Sequence, residues 1–164
     1  FIAGDFNRVS GEKSVLLGGT LDTLIGSNSV IAGGTSNVLD GTQNFLGGGR
    51  LNQVAGESQS VVGGQGNHLE GFRSVIAAGL LNYSNADNAF TGGGRNHYLT
   101  GDASGIVGGY FDTLTNIHSF IGGAENSRIA GGAAGIVGGE RLHWWRCIEY
   151  SQWLSSRNCG RRNQ

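Results

Sequence analysis

The run SVIAGGTSNVLDG, Ser29 to Gly41, decides how this chain is read, because it returns as SVLLGGTLDTLIG (Ser14 to Gly26) and as QSVVGGQGNHLEG (Gln59 to Gly71). With Ser14, Ser29, Asn44, Gln59, Ser74, Ala89, Ser104, Ser119 and Ala134 at repeat position 1, the sequence falls into columns of period 15, without insertion or deletion, to about Glu140. Positions 5 and 6 are a glycine doublet in most repeats, relaxed at Ala78 and Ala124. A period this strict denotes one small unit stacked on itself, so function has to be sought in the stack.

Two columns are apolar. Position 3 runs Leu16, Ile31, Leu46, Val61, Ile76, Thr91, Ile106, Ile121, Ile136, and position 11 runs Leu24, Leu39, Val54, Leu69, Ser84, Leu99, Leu114, Ile129. Branched aliphatics flanked by glycine point to strands, and the paired glycines leave no helical periodicity. The expected fold is therefore all-β: a parallel β-roll or β-solenoid of 15-residue coils. In each coil a strand near positions 1–4 and another near 9–12 are joined by glycine corners, with positions 3 and 11 facing each other inside. Nine coils at the spacing of hydrogen-bonded strands rise about 43 Å.

Strand alternation turns positions 2 and 4 outward, where polar residues are expected and apolar ones stand. Each Phe at position 2 (Phe45, Phe90, Phe120) has Gly at position 4, and each Gly at position 2 has Val. Conserved volume per layer is a property of packed interfaces. This assigns Val15, Leu17, Val30, Phe45, Val62, Val75, Phe90, Val107, Phe120 and Val137 to an interface with copies of the same chain. Through Glu140, charged residues occupy only positions 7, 9, 10, 12, 14 and 15, which puts solvent at one corner and on the outer strand. Position 9, mostly Asn and Asp, reads as a turn-stabilising column able to stack into an amide ladder.

The same runs resemble the head repeat of trimeric autotransporter adhesins, an S-V-A-I-G-x-x-S-x-A-x-G pattern of similar length, over residues 1 to about 140. Ser29, Val30, Gly33 and Gly41 take the family's places, with Ile31 and Ala32 in swapped order. The chain departs from it in a second glycine, Gly34, and in Asn37 at position 9. The resemblance implies a left-handed roll of three chains sharing a core. It also implies a non-enzymatic adhesin or fibre head on a bacterial or virion surface, with a host-cell or environmental protein or glycan as partner and a site of display outside the cell. The alternatives are a monomeric solenoid that binds ice or polysaccharide and a fragment of a carbohydrate-active β-helix enzyme.

Neither a dinucleotide fingerprint nor a phosphate loop occurs, and the glycine turns lack the aspartates of calcium-binding rolls. His68, His97, His118 and His143 lie without metal-ligand spacing and read as solvated corner or tail residues. No cofactor, metal, nucleic acid or membrane insertion is expected within this segment, since no apolar run reaches eighteen residues. Asn82-Tyr83-Ser84 is a lone glycosylation sequon. The net charge of −1 hides an acidic repeat region, 1–140, and a basic tail, 141–164, holding all three Trp and both cysteines, Cys147 and Cys159. The tail reads as a cap or a non-native end. A first residue at repeat position 3 reads as the start of a piece of a longer protein.

Overall fold

The computed structural model describes residues 3–140 and 143–144. It is a parallel β-solenoid in which one coil follows another every 15 residues. The first sheet has nine two-residue strands, from Val15–Leu16 through Gly135–Ile136; the second has ten strands, from Arg8–Val9 through His143–Trp144, of two residues each except the three-residue His68–Glu70 and Tyr83–Asn85. Both pair in parallel with strict register, Val30 beside Phe45 and Val38 beside Gln53, one repeat apart. The strands occupy positions 2–3 and 10–11, shorter than the four-residue stretches expected. The Thr113–Leu114 and Arg128–Ile129 rungs lead on to His143–Trp144, at positions 10 and 11 of the coil that begins at Ala134.

A third line of parallel pairing runs up the glycine corner at position 7, from Asp5↔Thr20 to Arg95↔Tyr110, and continues as the strands Gly109–Tyr110, Ala124–Glu125 and Gly139–Glu140. Backbone N–H groups donate to the carbonyl fourteen residues on, as Val15 to Ser29 and Thr23 to Asn37. The hydrogen bonding that strands demand is thus met between coils, where it suits an open-ended stack.

The interior holds positions 3 and 11, as their alternation requires. Leu16, Leu24, Ile31, Leu39 and their equivalents are completely buried. Their contacts divide into two clusters, one ending at Ile76 and the other starting at Ala86. The seam falls where Ser84 and Thr91 replace aliphatics, and both hydroxyls are buried without a hydrogen-bond partner. An unmet buried hydroxyl costs about 1–3 kcal/mol. Thr91→Val is therefore expected to stabilise the roll by about 1–2 kcal/mol, read as a higher urea midpoint at unchanged slope.

Each coil turns by one device used twice. Positions 8 and 15 hold left-handed residues, among them Leu21 (φ 59°), Leu51 (56°), Asn28 (52°) and Gln43 (60°). The residue that follows each, at position 9 or 1, then points inward. Here the sequence reading needs correction: position 9 is not a solvent column. Asp22, Asn37, Asn52, Asn67, Asn82, His97 and Asp112 are buried, as are Ser29, Asn44, Gln59 and Ser74 at position 1. The left-handed residue resets the alternation, so charge at position 9 marks the interior. Coils are two half-turns built alike, the longer one containing the extra residue of the glycine doublet.

Candidate functional site

Two interior ladders hold the coils in register. Along position 9, the Asn52 N–H donates to Asn37 Oδ1 at 3.0 Å, and the Asn67 N–H donates to Asn52 Oδ1 at 3.0 Å. Asn52 Nδ2 donates to the Gly48 carbonyl of its own coil and the Gly64 carbonyl of the next, both at 3.0 Å. Position 1 repeats the scheme: the Asn44 N–H donates to Ser29 Oγ at 3.0 Å and the Gln59 N–H to Asn44 Oδ1 at 2.8 Å. The Asn82 amide is spent in the same way on Ala78 and Gly94, both at 3.3 Å. Its burial takes the sequon out of reach of glycosylation in the folded roll.

Three rungs of the position-9 ladder are titratable. Asp22 Oδ1 accepts the Asn37 N–H at 2.8 Å and the Asn37 amide at 3.0 Å, while its Oδ2 is buried with no partner. Burial raises the Asp22 carboxyl above its usual range, against the two Asn37 hydrogen bonds. Burial likewise lifts Asp112 to about 6, with Glu125 adding to the rise and hydrogen bonds from Ser127 and Tyr110 opposing it. His97, expected at a solvated corner, is buried. Its Nδ1 accepts the Asp112 N–H at 3.3 Å and lies 3.6 Å from Asp112 Oδ2. Burial lowers it to about 4, partly offset by the Gly93 carbonyl. These groups are sealed within the wall, where no substrate reaches them.

The outward side of the first sheet carries the residues assigned to an interface. In the single chain, Val15, Val30 and Val75 are half-buried, and Leu17, Val62 and Val107 are about half exposed, at 54, 53 and 45%. Val137, near the top of the described stack, is largely exposed. Phe45, Phe90 and Phe120 each lie over their own coil's glycine: a ring carbon is 3.2 Å from where a Cβ would stand at Gly47, Gly92 and Gly122. Large-with-small matching therefore has a cause within the chain, since a Cβ at these glycines would meet the next coil's backbone first, Val62 O at 2.5 Å for Gly47 and Val107 O at 2.5 Å for Gly92, and then the ring. The result is a flat apolar strip without charge along the whole roll.

The glycine doublet beside this strip has two separate explanations. At position 6 glycine is obligatory: Gly64 has φ +96°, and a Cβ there would strike the Gly79 backbone and the Asn67 amide. The exception is Ala124, where the backbone leaves the left-handed region and position 9 of the coil is the short Ser127. At position 5 most glycines are not demanded by the chain, Gly48 (φ +157°) and Gly138, where a Cβ would stand 3.3 Å from the Gly123 carbonyl oxygen, being the exceptions. Gly18, Gly63, Gly93, Gly108 and Gly123 have no left-handed φ, and nothing lies within 4 Å of an added Cβ.

Two further surfaces were not read from the sequence. From Leu21 to Asn126, Leu21, Leu51, Leu81 and Phe111, all exposed and all left-handed at position 8, alternate with Ser36, Gly66, Asn96 and Asn126, forming an apolar ridge with a peg on every second coil above the exposed Phe6 of the lowest one. The signal was a 30-residue period within the 15-residue one. On the second sheet His68, Tyr83 and Tyr98 stack in successive coils at 5.2 and 5.1 Å, and Glu70 Oε1 meets His68 Nε2 at 2.9 Å. His118 is exposed.

Among the described residues no three His, Cys, Asp or Glu gather as a metal site, and no helix is long and apolar enough to cross a membrane. His143 has only its backbone described; Cys147, Cys159 and the body of the 141–164 tail lie outside the described residues. No protein-family model matches the chain, and no curated protein matches it.

Proposed function

We propose that the chain is a non-enzymatic structural module that assembles with copies of itself, as a homotrimer, through the strip formed by positions 2 and 4. On this reading the second sheet and the corners are displayed as the attachment surface of an extracellular adhesin or fibre head, toward a surface protein or glycan. The observation that carries the proposal is the uncharged apolar strip bordered by glycines, five of which (Gly18, Gly63, Gly93, Gly108 and Gly123) have no steric cause in the chain. Glycine costs about 0.5–1 kcal/mol against alanine in regular structure, so a column of unforced glycines lowers the stability of a solitary roll. Bare backbone beside an apolar face suits close approach by another backbone. Resemblance to adhesin head repeats supplies the trimer and the surface role; the strip supplies the contact.

Light scattering on the purified chain tests it first: a particle of three chain masses is expected, and a 17.0 kDa particle at micromolar concentration overturns the assembly. Substitution then locates the contact. Gly63→Leu and Gly93→Leu have room in the single chain and are expected to leave the circular dichroism unchanged while raising the concentration for half-dissociation at least about tenfold, equivalent to about 1.4 kcal/mol. Phe45→Ala or Phe90→Ala is expected to weaken assembly far more than Phe111→Ala, whose ring is similarly exposed but sits on the corner ridge. Equal effects would move the contact off the strip and favour a solitary solenoid whose flat face meets a polysaccharide or ice.

A further inference from the structure

Five of the position-9 side chains on the described roll are asparagines that use their amide in one way: Nδ2 donates to the position-5 carbonyl of the same coil and the position-6 carbonyl of the next, as Asn7 does to Ala3 at 2.7 Å and Gly19 at 3.0 Å. Asp22 and Asp112 stand in that slot with a carboxyl group. Their Oδ1 atoms do what Oδ1 of asparagine does, accepting the next coil's N–H from Asn37 at 2.8 Å and Ser127 at 3.0 Å. Their Oδ2 atoms occupy the place of Nδ2: the missing Cβ of Gly19 or Gly109 would collide with Oδ2 as that of Gly49 would with Asn52 Nδ2. Both Oδ2 atoms are buried and unpartnered. At Asp22 an ionised oxygen would confront carbonyl oxygens with no donor in reach, and at Asp112 it would have only the Tyr110 hydrogen bond and His97 Nδ1, 3.6 Å away, to set against them, whereas a protonated oxygen carries the hydrogen the slot lacks.

We propose that Asp22 and Asp112 are held in the folded roll as neutral carboxylic acids, each standing in for an asparagine amide, so that the position-9 ladder is a pH-responsive spine, tightest in acid and looser as pH rises. The neighbours of Asp22 supply no compensating charge. Asn7 and Asn37 are the adjacent rungs, and Asp5 at the corner and Arg8 on the outer strand are the charged side chains of the coil below outside its far corner. Asp112 faces His97 from below and Ser127 from above; Glu125 in the coil above adds to its rise, and Arg95 and Arg128 stand in the coils below and above.

The direction follows from linkage. A carboxyl whose folded pKa is raised gives stability fully present below its unfolded value, 3.8, and lost as pH climbs through its folded value, about 6 for Asp112. His97 acts oppositely: its folded value is about 4 against 6.5 unfolded, so its contribution is lost as pH falls through that window. Between about 4 and 6, folding moves a proton from His97 to Asp112 with no net exchange. The pair therefore masks itself, and Asp22 sets the visible slope.

Asp22→Asn is expected to raise Tm by roughly 5 °C at pH 8, with little change at pH 4, and His97→Asn to reveal a new fall in Tm above pH 4 that Asp112→Asn removes. On the folded protein at pH 5, difference infrared spectra against Asp22→Asn should show the carbonyl band of a protonated acid. A carboxylate band at pH 5 instead, or an Asp22→Asn effect equal at pH 4 and pH 8, overturns the proposal. The infrared result needs no change in assembly, so failure of the trimer leaves it intact.

Discussion

Asn52→Ala is expected to destabilise the roll by about 2–6 kcal/mol, two buried groups being left unpaired. It removes two donations from Nδ2 and one acceptance by Oδ1, and it leaves the Asn67 N–H and the Gly48 carbonyl short of those partners, while the Gly64 carbonyl keeps the Arg50 N–H at 3.0 Å. Each such buried group costs about 1–3 kcal/mol. Against a total stability of about 5–15 kcal/mol, the variant stands near the limit of folding. Asn52→Ser, which keeps an acceptor near the Asn67 N–H, should recover part of the loss. Urea unfolding of the three proteins checks the ranking. If alanine costs no more than serine, the ladder's hydrogen bonds contribute little.

The adjacent glycines provide the second large effect and the sharpest contrast. Gly64→Ala forces a side chain onto φ +96° and into the Gly79 backbone and the Asn67 amide. Left-handed geometry alone costs about 1–2 kcal/mol, and displacing a ladder rung adds about 1–3 more. Gly63→Ala meets nothing within 4 Å and is expected to leave a solitary coil equal or slightly more stable, by about 0.4–1 kcal/mol. Combining Gly64→Ala with Asn67→Ser copies the natural pair Ala124 and Ser127 and should recover part of the loss. Thermal melts of the three variants at one protein concentration would show it; a double mutant worse than the sum of its parts refutes the steric account.

The repeat length, the solenoid and the interior of positions 3 and 11 were legible in the sequence because strand alternation and apolar columns report the same face independently. At position 9 the amide ladder was legible but its burial was not, because short polar residues suit exposed turns and interior ladders alike. What separates the two uses is a left-handed residue at position 8, and Leu21, Leu51 or Phe111 at that place do not announce it. One trace was present: position 9 contains Asp but no Lys, Arg or Glu through Ser127, as expected where a side chain must fit between coils. The assigned strip was legible as an apolar face. The part its phenylalanines play within their own coils was not, because ring over glycine and ring against a neighbour leave the same pattern in one sequence. The unequal duties of the doublet were hidden too, since a glycine required and a glycine merely present look alike.

Because the inter-coil hydrogen bonds described here join residues about one repeat apart, no rung depends on how many coils lie above or below it. Sequence separation at contact stays near fifteen however tall the molecule grows, so added height brings no added loop-closure penalty and folding can spread from any nucleated pair of coils. Duplication or deletion of a whole repeat should therefore lengthen or shorten the roll without retuning anything else, whereas a change by one residue would rotate a ladder side chain out of the wall. Height is a free evolutionary variable in this architecture, and reading frame within the coil is the fixed one.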